Sequence, residues 1–256
     1  MGMLDGQIAL IFGIANDRSI CWGIAQRLAA EGATLVFTYQ GETLEKRVRP
    51  LAEQLGVDLV LECDATKDEQ VDAVFHTVGD RYGHLDILVH GIAHAHKEDL
   101  RARFSEASRE GFSYAMEVSA YSLIHFCRLA RPLMAGRNGR VITLTYYGAE
   151  KVVPNYHIMG AAKAALETCV QYLAYDLAAD GIRINAISAG PIKTLAASGI
   201  SDFYTIGKTS IDRAPMKRLV TQEEVGKAAL FLLSDLSSGT TGEVIHVDAG
   251  YHVTGM

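Results

Sequence analysis

Short apolar runs of β-forming residues alternate with helix-period segments along the whole chain, and that alternation most restricts what it can fold into. Residues 7–12, 34–38, 58–63, 85–90, 140–145, 182–187 and 243–247 read as strands. They are apolar almost throughout rather than at alternate positions, which suits a parallel sheet covered on both faces. Between them, residues 21–31, 42–54, 109–134 and 156–179 carry helical periodicity, with Gly32 and Gly181 as stops. Thr66 with Glu69 and Thr221 with Glu224 have capping-box spacing, predicting helices that run to Tyr82 and Leu233. Strict alternation implies right-handed crossovers and a doubly wound sheet. The expected fold is α/β: a single-domain, Rossmann-like doubly wound parallel sheet of seven strands over residues 1–256.

The chain has 256 residues, 49% of them apolar, enough for one large core. It shows no internal repeat, low-complexity tract or linker-like run. Residues 190–220, weakly patterned after the sixth strand, are a candidate substrate-binding lid, because ligands of such sheets bind beyond the carboxyl ends of the strands. A formal net charge of −6 argues against general nucleic-acid binding, which requires a basic surface. A local basic patch for an acidic protein partner stays open. The cysteines Cys21, Cys63, Cys127 and Cys169 form no CxxC pair, as expected for reduced thiols in a cytosol. No apolar stretch approaches the ~18 residues of a membrane span, and no charged segment leads into an apolar run with a cleavage site. A soluble, cytoplasmic protein with no membrane partner is expected.

The first strand runs into Gly13 and then Ser19, Ile20 and Gly23. A strand, a glycine turn and a helix N-terminus make a place where backbone N–H groups and the helix dipole hold a pyrophosphate. The spacing is not GxGxxG, so an ordinary strand-to-helix turn capped by Ser19 fits these residues as well. Gln40 ends the second strand, where dinucleotide folds place a residue that hydrogen-bonds the adenosine ribose. With Gln40, Gly41 and Glu42 there, no cation stands ready for a 2′-phosphate, which favours NADH unless Lys46 or Arg47 folds back. Asp64, after the third strand, is placed to meet adenine or to cap a turn.

Beyond the fifth strand, Tyr156 and Lys163 are seven residues apart, about 700° of helical rotation and roughly 10.5 Å of rise, so one helix face carries both. A phenol beside an ammonium suits proton donation or relay. Tyr and Lys share a face on many helices, so the pair alone does not single out chemistry.

Taken together, Gly13…Ser19-Ile20…Gly23-Ile-Ala, Thr38-Tyr39-Gln40, Tyr146…Tyr156…Met159…Lys163, the run from Asn185 through Gly190-Pro-Ile-Lys-Thr194-Leu-Ala-Ala-Ser-Gly, and Gly242…Asp248 resemble the short-chain dehydrogenase/reductase superfamily. Within it they resemble the bacterial enoyl-acyl-carrier-protein reductases, over nearly the whole length. The resemblance implies an NADH-dependent enzyme that reduces the trans-2 double bond of enoyl thioesters carried on acyl carrier protein, the last step of the fatty-acid elongation cycle. It implies NADH/NAD+ as cofactor and a homotetramer. By the same resemblance Tyr156 donates a hydrogen bond to the developing enolate, Lys163 binds the nicotinamide ribose and Tyr146 is a second active-site tyrosine. Gly13, Ser19, Ile20, Gln40, Asp64, Ala65, Ile92, Ile192, Thr194, Leu195 and Ala196 line the cofactor. Ala95, Met159 and Phe203 join Tyr146 and Tyr156 at the acyl substrate.

Chemistry separates sister activities. Ketoreductases of the superfamily place Tyr one helical turn before Lys; here that position is Met159, which cannot donate a proton. A small-alcohol dehydrogenase is disfavoured for that reason, and intact Tyr156 and Lys163 speak against a nucleotide sensor that has lost its chemistry. His94 departs from the Phe expected by resemblance and alters the acyl pocket. The basic surface for acyl carrier protein is thin near Ser201 and Tyr204, with Lys193, Lys208, Arg213, Lys217 and Arg218 as possible replacements. His90, His94 and His96 lack a carboxylate or cysteine at ligand-like spacing, so no metal is expected. Phe112, Tyr114, Tyr121 and Phe126 on the 109–134 helix read as core or subunit packing.

Overall fold

Seven parallel strands form one sheet in the order β3-β2-β1-β4-β5-β6-β7 in the computed structural model, which describes residues 2–194 and 203–254. The strands are β1 Ile8–Phe12, β2 Thr34–Tyr39, β3 Leu59–Glu62, β4 Ile87–His90, β5 Arg140–Thr145, β6 Arg183–Ala189 and β7 Val244–Val247. Helices α1 Ile20–Ala30, α2 Gly41–Gln54, α3 Asp68–Tyr82, α4 Lys97–Arg101, α5 Arg109–Met116, α6 Ser122–Met134, α7 His157–Leu177, α8 Phe203–Arg213 and α9 Gln222–Leu232 fill the connections. The order runs outward in both directions from the β1–β4 pair, so connections leaving those two strands go opposite ways. A crevice opens there at the carboxyl edge.

Successive side chains on a strand point to opposite faces, so an unbroken apolar run feeds two cores. Ile8, Leu10 and Phe12 of β1 join one core with residues of α3, α6 and α7; Ala9 and Ile11 join the other with residues of α1 and α9. On the first face Phe12, Phe75 and Phe126 meet with ring centroids 4.2 to 6.1 Å apart. On the second, α1 and α9 cross without intervening side chains. A Cβ on Gly226 would lie 2.7 Å from the Gly23 carbonyl oxygen, and one on Gly23 would lie 2.7 Å from Gln222 Cβ. Gly23 is thus required by helix packing.

Three local expectations are corrected. Thr66 does not cap α3: its N–H and hydroxyl both donate to Asp64 Oδ1, at 3.0 and 2.7 Å, and Lys67 becomes the N-cap. The competing partner is two residues back, an Asx-type turn. By contrast, Thr221 and Glu224 form the complete capping box on α9. The 109–134 segment is not one α-helix, because Glu117–Tyr121 is a π-helical insertion between α5 and α6. Ser122 Oγ donates to the Val118 carbonyl oxygen at 2.7 Å, back-bonding that occupies the backbone acceptor inside the insertion. Finally, α7 begins at His157, leaving Tyr156 as its N-cap.

The aromatic residues of this segment divide by role. Phe126 is in the core, Phe112 and Tyr121 are exposed, and Tyr114 faces the cavity described below. Replacing Phe126 with Ala should therefore cost about 3–5 kcal/mol of stability. Urea unfolding monitored by circular dichroism checks this; a loss under ~1 kcal/mol would mean the triple-ring contact is not formed.

Candidate active site

The crevice floor is made of two backbones in contact. Gly13 follows β1 with φ 104°, and a Cβ there would lie 2.2 Å from the Gly91 carbonyl oxygen beyond β4. A Cβ on Gly91 would in turn lie 2.0 Å from Cys21 Sγ. Only glycine permits both the φ and the approach. Gly91 was not singled out in the sequence, since a glycine after a strand gains meaning only when the sheet brings it against Gly13.

Ser19 is the N-cap of α1, but its hydroxyl makes no cap bond. Oγ accepts the N–H groups of Ala15 and Asn16, at 2.9 and 3.1 Å, and so stiffens the turn from within. From α9, Gln222 Nε2 donates to the carbonyl oxygens of Asp17 and Ser19, at 3.2 and 2.6 Å. The turn is therefore shaped before any ligand arrives.

A cavity of about 640 Å³ runs along the carboxyl edge of the sheet from β3 to β5. Gly13, Ser19, Ile20, Gln40, Asp64, Ala65, Ile92, Ala95, Tyr146, Tyr156, Met159, Lys163, Ile192 and Thr194 all line it. Leu195 and Ala196 lie outside the described residues. Phe203 opens α8, and its side chain is outside what the structure describes. The cavity also has lining residues that the sequence did not mark, among them Cys21, Leu100, Tyr114 and Ile206. They sit on four separate elements or loops, with no spacing that would group them.

At the β2–β3 end, Gln40 donates a hydrogen bond to the Asp64 carboxylate. Burial pushes that carboxyl up, but the bonds from Thr66 and Gln40 outweigh burial and hold it below its ordinary value. Arg49 is engaged elsewhere, on Glu45 at 2.7 Å and over the Tyr39 ring.

At the other end, Tyr156 and Lys163 are both buried. Asn155 and His157, on either side of Tyr156, have φ 64° and 38°, conformations that non-glycine residues adopt only under constraint. The Tyr156 ring packs on backbone at Gly148, where a Cβ would come within 2.4 Å of it, and stands edge-on to Tyr146 with centroids 5.0 Å apart. Burial, then Tyr146 and Glu167, push its phenol above the ordinary value, so it is a protonated donor. Lys163 Nζ donates to the Leu144 carbonyl oxygen at 2.7 Å. Burial lowers its ammonium to about 8, with Glu167 acting in the opposite sense. Met159, four residues before Lys163, is buried, and its sulfur is 3.9 Å from Ser119 Oγ. The Ser119 hydroxyl, carried by the π-helical insertion, also meets the His94 backbone.

His94 is exposed and forms part of an aromatic group at the cavity wall. His96 stacks on Tyr114 at 4.5 Å, and His94 stands edge-on to Tyr114 at 5.6 Å. His90 is different in kind: wholly buried, with Nδ1 2.7 Å from Thr143 Oγ1 and Nε2 2.8 Å from Ser122 Oγ. Burial lowers it to about 3, and it is neutral. Among the described residues no three His, Cys, Asp or Glu side chains are grouped to hold a metal ion.

Of the basic candidates for a protein partner, Arg218 is already committed: it grips both carboxylate oxygens of Glu224, at 2.9 and 2.6 Å. Lys217 donates to the Asp212 carbonyl oxygen. Lys193, Lys208 and Arg213 are exposed.

Gly13→Ala would add strain of about 1–3 kcal/mol before the clash with Gly91 is counted. Nucleotide affinity should fall at least about tenfold. Fluorescence titration with NADH measures it, and wild-type affinity would contradict the glycine-floored crevice.

Comparison with known proteins bears on this geometry. A family model described as enoyl-(acyl carrier protein) reductase matches residues 13–252. Enoyl-(acyl-carrier-protein) reductase (NADH) 1 of Rhizobium meliloti (strain 1021) is 53% identical over 255 residues, covering 100% of this chain and 93% of the relative. The crystal structure of the Aquifex aeolicus VF5 enoyl-(acyl-carrier-protein) reductase (NADH) matches with a TM-score of 0.97 and 52% identity, covering 100% of both chains. That of the Anaplasma phagocytophilum reductase, in complex with NAD, has a TM-score of 0.95 and 49% identity, covering 100% of this chain and 97% of the other. With a family match across nearly the whole chain and relatives at about half identity, the chain belongs to the enoyl-(acyl carrier protein) reductase family.

Proposed function

We propose that Tyr156, Tyr146 and Lys163 carry the family's reaction in this chain: NADH-dependent reduction of the trans-2 double bond of an enoyl thioester held on acyl carrier protein. The supporting observation is the single cavity that joins Tyr156 and Lys163 to Gln40 and Asp64 over a glycine floor. Its size and length suit a dinucleotide laid along the carboxyl edge of the sheet. An amide and a carboxylate at the β2–β3 end suit ribose hydroxyls and adenine, and no cation among the lining residues there would favour a 2′-phosphate. Bound NADH would supply the hydride for the β-carbon of the enoyl group, and a proton taken up from solvent at the α-carbon would complete the reduction. Tyr156 donates a hydrogen bond to the thioester oxygen, where negative charge collects as the double bond is reduced. Its burial keeps the phenol protonated, and the packing on Gly148 and Tyr146 fixes its direction in advance. Lys163 spends one N–H on Leu144 and has two more for the nicotinamide ribose hydroxyls. Met159 leaves no proton donor one turn before Lys163, which supports an enoyl rather than a carbonyl substrate.

Ala95, Leu100, Met159 and Ile158 form an apolar cluster around Tyr156, suited to an acyl chain. Gly190, Pro191, Ile192, Thr194 and Ile206 extend the cavity wall, which supports a substrate-side cover over residues 190–220 on one domain. Lys193, Lys208 and Arg213 lie within that segment, exposed, and suit acidic acyl carrier protein. Exposed Tyr172 and Tyr175 on α7 and Phe112 and Ile124 on α5 and α6 suit burial between subunits, and the family likeness makes a homotetramer the proposed assembly. Sedimentation equilibrium tests it, with a single-chain mass as the contrary result. No described helix is long and apolar enough to cross a membrane. The four cysteines are free, consistent with a cytoplasmic setting.

Tyr156→Phe should lower kcat with crotonyl-coenzyme A by about 10²-fold while NADH affinity is retained. Lys163→Ala should weaken NADH roughly tenfold or more, since charge-assisted bonds are lost. Because the ammonium is the binding form, wild-type affinity for NADH should decline as pH rises through about 8. Unchanged turnover in Tyr156→Phe would remove the phenol from the chemistry. Lys208→Glu should raise KM for acyl-carrier-protein substrates more than for the coenzyme A analogue; equal effects would place docking elsewhere.

A further inference from the structure

Helix α7 carries a second ionisable group one turn beyond Lys163. Glu167 and Lys163 both reach back to the end of β5, and they grip consecutive residues there. Lys163 Nζ donates to the Leu144 carbonyl oxygen at 2.7 Å, and Glu167 Oε1 accepts the Thr145 hydroxyl at 2.6 Å. The i,i+4 spacing puts the two side chains on one helix face. The Thr145 bond fixes where the carboxylate sits relative to the ammonium.

The surroundings of Lys163 otherwise disfavour charge. Cys21 of α1 is a buried thiol raised to about 12, hence neutral. His90 of β4 is a neutral imidazole. Tyr146 and Tyr156 are protonated phenols. Among the described residues, Glu167 is the carboxylate whose field acts on the ammonium. Glu167 is itself half-buried and faces Thr145, Glu150, His246 and Lys163. Burial and Glu150 favour its neutral form; Thr145, His246 and Lys163 favour the carboxylate. His246 and Glu150 are paired with each other at 2.6 Å on the outer side of this cluster.

We infer that Glu167 is a positioning residue: held by Thr145 on the helix face that carries Lys163, its carboxylate sustains the Lys163 ammonium beside the cofactor cleft across the working pH range. The inference rests on Lys163 being the group that binds the nicotinamide ribose. Burial has already brought the ammonium close to neutral pH, and one pKa unit is a tenfold change in its charged fraction above that point. Removing that stabilising carboxylate therefore has its effect where the enzyme operates, rather than at an extreme of pH.

Glu167→Gln tests this, because the amide keeps an oxygen for the Thr145 hydroxyl and removes only the charge. NADH dissociation constants and kcat/KM for NADH with crotonyl-coenzyme A would be measured on the full-length protein from about pH 6 to 9.5. The expected result is an alkaline limb displaced to lower pH by about one unit, with near-wild-type affinity at pH 6. Glu167→Asp should recover part of the displacement. A limb that stays in place overturns the inference, whether affinity is unchanged or is lowered equally at every pH as a purely structural defect would lower it. Should Glu167→Gln fail to fold, Thr145→Val loosens the clamp with the charge retained. A smaller shift in the same direction is then expected, and an unmoved limb is contrary. Lys163→Met separates the two levels. If it binds NADH as tightly as wild type with the limb intact, the role of Lys163 is wrong; if it abolishes the limb while Glu167→Gln leaves it unmoved, only the role of Glu167 is.

Discussion

Everything at the site depends on the close approach of two backbones, Gly13 after β1 and Gly91 after β4. These strands are neighbours although β2 and β3 lie between them in the chain, and their connections leave in opposite directions. The sheet therefore has a gap at its carboxyl edge with no chain crossing it. A side chain on either glycine would fill that gap. With both bare, the crevice stays open from the glycine floor to Tyr156 and Lys163 at the α7 end. The π-helical insertion builds the opposite wall: it carries Ser119 to the His94 backbone and the Met159 sulfur, while Ser122, opening α6, meets buried His90.

The chemistry at the α7 end follows from burial acting oppositely on two groups. Low solvent exposure holds Tyr156 in its protonated form, the form that can donate. The same burial destabilises the Lys163 ammonium, the form that the proposed ribose contact requires. A single desolvated pocket would thus keep the phenol and weaken the amine, unless the amine has compensating partners. The Leu144 carbonyl oxygen and the Glu167 carboxylate provide them. The strained backbone at Asn155 and His157 sits directly beside the phenol, as expected where structure is held for function rather than for stability.

Much of this was legible in the sequence, for identifiable reasons. Fully apolar strands and long amphipathic helices report burial directly, so the seven strands and their α/β class could be read, with ends misjudged by one or two residues. The helix at Thr221 matched because no nearer acceptor draws the Thr221 hydroxyl away from the Glu224 end of the capping box, even though the Glu224 carboxylate also holds Arg218. At Thr66 the same spacing misled, because Asp64 two residues back competed for the hydroxyl. The π-helical insertion was invisible because Ser119 within it and Ser122 just after it meet His94 and His90, residues far away in sequence. Among the residues that line the cavity, those in contiguous motifs were marked in the sequence, including Ser19, Gln40, Tyr156 and Lys163. Gly91, Cys21 and Tyr114 were not, since each acquires its place only when strands far apart in the chain become neighbours. Glu167 was overlooked for a related reason: its significance lies in Thr145, on another element.

The central claim is that the Tyr156 hydroxyl meets the oxygen that becomes negative while Lys163 holds the cofactor sugar. A crystal structure with NAD+ and a non-reducible enoyl thioester analogue tests this most directly. The account predicts the Tyr156 oxygen within about 2.6–3.2 Å of the thioester oxygen, with Lys163 Nζ at similar distance from the nicotinamide ribose hydroxyls. A thioester oxygen bound by another donor, with the Tyr156 hydroxyl turned out of the cleft, would contradict it.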